Sequence, residues 1–129
     1  MSFSQKLARI FSNRAETRDN HWDVQLQTRY YKTTKDKGLD ALKNFFNNSQ
    51  KFEVNAISEE HGEISVNVVK GRKAFIIATV IMVRPYQTAI DFSVMTESLI
   101  PIDFGYSTKI INMLYENINK DLPLLDKHS

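Results

Sequence analysis

The chain has 129 residues, 42% of them hydrophobic and 25% charged, with 17 Lys and Arg against 15 Asp and Glu for a net charge of +2. A domain of this size buries about two-thirds of its unfolded surface, so a core can form without a disulfide or metal staple, and the near-neutral balance lacks the basic excess of a phosphate-tracking protein. The absence of Cys excludes disulfides, thiolate nucleophiles and Cys-ligated zinc, and it suits a reducing compartment, so the expected location is cytoplasmic.

In chain order, Phe3, Leu7, Ile10 and Phe11 recur at i, i+4, i+7 and i+8 and predict a short amphipathic helix over residues 3–14, with Lys6, Arg9 and Arg14 beside the stripe. A helix this short is marginal alone and needs a surface: its own domain, another chain or lipid headgroups. The segment lacks the continuous apolar run of a secretory signal. Residues 12–25 are polar and read as a linker that holds the only Trp, Trp22. The expected organisation is therefore an N-terminal helix and linker over 1–25, a single α+β domain over 26–125 and a disordered tail over 126–129.

Residues 26–32 are rich in β-formers and predict a first strand. Thr33 or Thr34 then caps a helix running to about Asn48, with Leu39, Leu42, Phe45 and Phe46 as its buried stripe and Gly38 as an internal weak point. Four strands follow. Glu60-His61-Gly62 suits a three-residue hairpin loop that pairs Val54 with Val68 and Ala56 with Val66. Gly71-Arg72 suits a two-residue loop that pairs Val68 with Phe75 and Val66 with Ile77. These registers gather Phe52, Val54, Ala56, Ile64, Val66, Val68, Phe75, Ile77, Ile81, Val83, Ile90, Phe92 and Val94 on one face. A last helix, capped by Asp103 or Ser107 and striped by Ile110, Ile111, Leu114 and Ile118, runs to about Lys120. Two striped helices and one apolar sheet face predict a two-layer α+β domain. The longest apolar run, residues 74–83, is about ten residues, short of the roughly 20 that span a bilayer as a helix.

The second sheet face reads as polar at Glu53, Asn55, Ser65, Asn67, Asp91 and Ser93, but on the expected register the strand over residues 74–83 breaks that rule. Ala74, Ile76, Ala78, Val80 and Met82 then point outward, and Ile57, Val69, Ala89 and Met95 can join them. The functional expectation is an interaction surface built from Ile76, Ala78, Val80, Met82, Met95, Ile57 and Val69, used for homodimerisation or for a protein partner. The plainer reading is a central strand buried on both sides within one chain. Other occupants are the stripe Phe3, Leu7, Ile10 and Phe11 of the N-terminal helix, or a small apolar ligand held between sheet and helix. The same helix could instead lie reversibly on an anionic membrane surface.

Nothing in the sequence assembles a catalytic or cofactor site. His21, His61 and His128 have no partner at metal-ligand spacing, and His61 sits on an acidic hairpin tip. With four Gly, neither a phosphate loop nor a dinucleotide fingerprint forms. Arg29, Tyr30, Tyr31 and Lys32 could stack bases, but one such cluster on a nearly neutral chain reads as an edge strand guarded by charge. The expectation is a non-enzymatic chain with no metal and no cofactor.

The order β-α-β-β-β-β-α resembles the single repeat of the TATA-binding-protein-like fold, which implies a curved antiparallel sheet of about five strands with two helices on its convex side and a concave face open to partners. The DNA role is not implied, because that face here offers Glu53, Asp91 and few Lys. The stretch Glu97-Ser98 through Asp103-Phe104-Gly105-Tyr106-Ser107 is also similar to the closing segment of a family of small bacterial domains of unknown function, number fourteen ninety-nine. Tyr106 stands where that family usually has Asn. This resemblance implies a fold and a bacterial, cytoplasmic setting, and no activity.

Overall fold

Thr34 stops the chain from continuing as a strand: its hydroxyl accepts the Lys37 amide at 3.3 Å and caps helix α1 (Lys35–Asn47), as the sequence leads one to expect. The computed structural model describes residues 14–96 and 105–125. Leu39, Leu42 and Phe46 are buried on one side of α1, and Phe45 is packed against the core at its margin. Helix α2 (Tyr106–Asp121) begins after Gly105, whose left-handed backbone serves as the cap; Ser107, an expected cap, lies buried inside the first turn. Its stripe Ile110, Ile111, Leu114 and Ile118 is buried as expected, with Tyr115 beside it.

Among the described residues seven strands, two more than the expected five, form one antiparallel sheet: β1 (Arg14–Glu16), β2 (Arg29–Tyr31), β3 (Phe52–Ser58), β4 (Glu63–Val68), β5 (Ala74–Arg84), β6 (Gln87–Thr96) and β7 (Leu124–Leu125). The order is β3-β4-β5-β6-β2-β7, and β1 also pairs with β6. Strands β1 and β2 share one edge of β6, at Arg14↔Met95 through Glu16↔Ser93 and Arg29↔Ile90 through Tyr31↔Thr88. The linker reading is thereby corrected for residues 14–25. Residues 14–16 are a strand, and the stretch after them buries Thr17, His21, Asp23 and Leu26. β2 is likewise flanked by β7 rather than lying at the edge. The predicted helix over residues 3–14 and the tail over 126–129 lie outside the described residues, apart from residue 14, which belongs to β1.

Both central hairpins differ in register from the expectation. Strand β3 pairs Phe52 with Val68 and Val54 with Val66, then a bulge between Val54 and Ala56 brings Ile57, not Ala56, opposite Ile64. Val68 pairs with Ala74, so the β4–β5 connection has five residues, 69–73, instead of two. A one-residue slip exchanges the faces of a strand. The helix-covered face of β5 is therefore Ala74, Ile76, Ala78 and Val80, in register with Thr96, Val94, Phe92 and Ile90 of β6. The small side chains on β5 allow α1 to sit close: a Cβ added at Gly38 would lie 3.1 Å from Val80 Cγ1. Gly38 is a point of close approach rather than a weak point alone. The result is the expected two-layer α+β arrangement, with its core between the helices and one sheet face.

Candidate interaction surface

Successive strands carry their open-face residues in rows. One row runs Glu53, Asn67, Phe75, Met95, Arg14; the next joins Ser65, Ile77, Ser93 and Glu16; then come Glu63, Thr79 and Asp91, and finally Ile81, Ala89 and Tyr30. Most of this is polar. Along β5, however, Phe75, Ile77 and Ile81 make an apolar stripe with Met95 beside it, and Phe75, Ile81 and Met95 are 37%, 54% and 43% exposed. The stripe continues into the β5–β6 hairpin, where Val83 and Tyr86 are also exposed.

An apolar strand on both faces is thus present, but the outward set is the opposite of the one expected. Ile76, Ala78 and Val80, expected at the interaction surface, are core residues under the helices, at 0%, 0% and 1% exposure. Met82 is exposed, but its register partner is buried Thr88 on the helix side. Ile57 faces the same side at the β3 edge, and Val69 lies in the β4–β5 loop, its amide bonded to Lys51 O. Of the expected surface residues only Met95 lies on the open face. Phe3, Leu7, Ile10 and Phe11 lie outside the described residues. The sequence signal that separates the two sets is side-chain size: two of the four inward residues are Ala, which lets a helix approach, while the outward set is Phe75, Ile77, Thr79 and Ile81.

The margin of the face is held by a polar clasp. Residues 17–28 leave β6 between β1 and β2, and Asp91 Oδ1 accepts hydroxyl bonds from both Thr17 and Thr28 at 2.6 Å. Thr17 Oγ1 also accepts the Phe92 amide, taking the place of a strand carbonyl where the ladder is interrupted. Within the loop His21 Nδ1 accepts the Asp23 amide at 3.0 Å, and burial with the nearby Arg18 charge lowers the imidazole pKa, opposed by Asp23.

The basic-aromatic cluster is used internally. Arg29 stacks on the Tyr115 ring at 4.5 Å, and Tyr31 donates to Asn119 Oδ1. Tyr30 donates to Asp19, a bond that with partial burial pushes its phenol up to about 12. Burial also raises the phenol of Tyr115, which donates to Ile90 O. Among the described residues no three His, Asp or Glu side chains are grouped to hold a metal ion, and no helix is long and apolar enough to cross a membrane. The chain matches no protein-family model, no curated protein and no solved structure.

Proposed function

We propose that this chain is a binding module whose working surface is the open sheet face, with the apolar stripe Phe75, Ile77, Ile81 and Met95 as its contact line for an amphipathic protein segment. The observation that carries this reading is the exposure of large apolar side chains on β5 while the rest of the face is polar. Scattered single apolar residues need no explanation, but Phe75, Ile77 and Ile81 on one strand, broken only by Thr79 and rimmed by Glu, Asn and Ser, have the make-up of an interface. Among the described residues most large apolar side chains of the helix-facing side are closed within the core, and the exposed Ile57 and Met82 on that side stand on different strands.

Peptides selected from a display library of amphipathic sequences on the full chain should lose at least tenfold in affinity for Ile81→Asp. They should be unaffected by Asn44→Asp, which adds the same charge to the exposed side of α1. Binders indifferent to Ile81→Asp would overturn the reading.

A further inference from the structure

The chain carries a segment of its own that fits this face, and we infer that residues 3–11 are the resident occupant of the stripe, competing with any external segment; the inference rests on the proposed binding role. Width is the first argument. From Phe75 to Ile81 the stripe runs about 20 Å along one strand, at roughly 3.4 Å per residue. A stable dimer interface needs on the order of 800 Å² from each partner, well above what a line one strand wide offers. A single amphipathic helix has a stripe of the same kind, and Phe3, Leu7, Ile10 and Phe11 have that spacing.

Position is the second argument. The chain that follows the segment enters the sheet at Arg14, whose register partner is Met95, and Met95 is the partner of Phe75. Arg14 is therefore two strand spacings, about 10 Å, from the stripe. From Phe11 to Arg14 there are three residue steps, which span about 10 Å at roughly 3.3 Å each. Charge is the third. Before Glu16 the chain has no Asp or Glu, only Lys6, Arg9 and Arg14. The open-face rows carry Glu16, Glu53, Glu63 and Asp91, with Arg14 as their one basic member. A basic segment over an acidic-rimmed stripe is favoured in sign.

Because the chain has no Cys, paired substitutions report proximity cleanly. In the full chain Leu7→Cys with Ile77→Cys should close an intramolecular disulfide at monomer mass under mild oxidation, and Leu7→Cys with Asn44→Cys, on the other layer, should stay reduced. Equal closure of the two pairs, or closure only between chains, would overturn the inference. In a second measurement, Phe3→Ser, Leu7→Ser and Phe11→Ser together should raise the affinity of the selected peptides at least tenfold by removing the internal competitor. Unchanged affinity would overturn the cover yet leave the binding surface standing, whereas failure to select any stripe-dependent peptide would remove the binding surface itself. Uptake of the intact chain by phosphatidylserine vesicles at physiological salt, lost in the triple variant, would assign the segment to lipid instead.

Discussion

Gly62 shows what one position can fix. Its backbone is left-handed at φ 65°, a Cβ added there would lie 2.2 Å from Val80 O, and its own carbonyl accepts the Val80 amide at 2.7 Å. Strain and collision with a backbone atom act together, so Gly62→Ala is expected to cost roughly 2–4 kcal/mol, read by urea denaturation. A loss below about 0.5 kcal/mol would show that β4 and β5 are not held at this contact. The turn conformation was legible in the sequence, because Gly after Glu-His invites it. The approach of Val80 was not, since it depends on where a strand 18 positions later comes to lie. His21 belongs to the same scale. Its folded pKa lies below the unfolded value of 6.5, so the neutral ring is favoured by folding. That contribution is complete above pH 6.5 and is lost as pH falls through 6.5 toward the lower folded value. Protonation also removes the acceptor that Nδ1 offers to the Asp23 amide. Stability measured at pH 7.5 and 5.5 should fall on acidification in the parent and fall less in His21→Gln; equal slopes would rule His21 out as the source.

At the scale of elements, the β5–β6 hairpin combines a bulge at Val83 with a tight turn that pairs Arg84 and Gln87. Pro85 sits at the turn position that its fixed φ suits, while Tyr86 follows at φ 56°, in a region that favours Gly. An aromatic residue held there, and exposed, is strained without burial to offset it. Tyr86→Gly should therefore raise the thermal midpoint or leave it unchanged. Tyr86→Val, β-branched at the same angle, should lower stability by about 1–2 kcal/mol. Identical midpoints for the two variants would remove the strain argument. The helices were the most legible elements, because a 3.6-residue period extends over three or four turns and Thr34 marks one start. The sheet was less so: hairpin register depends on loop length, and neither the five-residue β4–β5 loop nor the bulge in β3 leaves a distinct sequence mark. Strand β1, three residues long, has only the alternation around Ala15 to show itself.

At the scale of the whole molecule, the consequence of one register step is the exchange of inside and outside along β5. Two layers were legible because two striped helices need an apolar sheet face, and β6 assigns that face clearly, with Ile90, Phe92 and Val94 alternating with Asp91 and Ser93. Strand β5 does not assign itself, since both of its faces are apolar and only the ladder decides between them. The decision is testable through two substitutions of the same chemistry five residues apart. Ile76 is fully buried opposite Val66 and Val94, so Ile76→Asp places an unpaired carboxylate in the core at a cost of about 3–5 kcal/mol, a large share of the 5–15 kcal/mol that holds a typical domain folded. Ile81 is 54% exposed on the open face, where water solvates the charge, so Ile81→Asp should retain the parent far-UV circular dichroism and denaturation midpoint to within about 0.5 kcal/mol. If Ile76→Asp folded normally and Ile81→Asp did not, β5 would have to be turned over and the stripe with it. With Ile81→Asp folded, any loss of peptide binding in that variant belongs to the surface and not to the fold, which is the condition that the binding experiment requires.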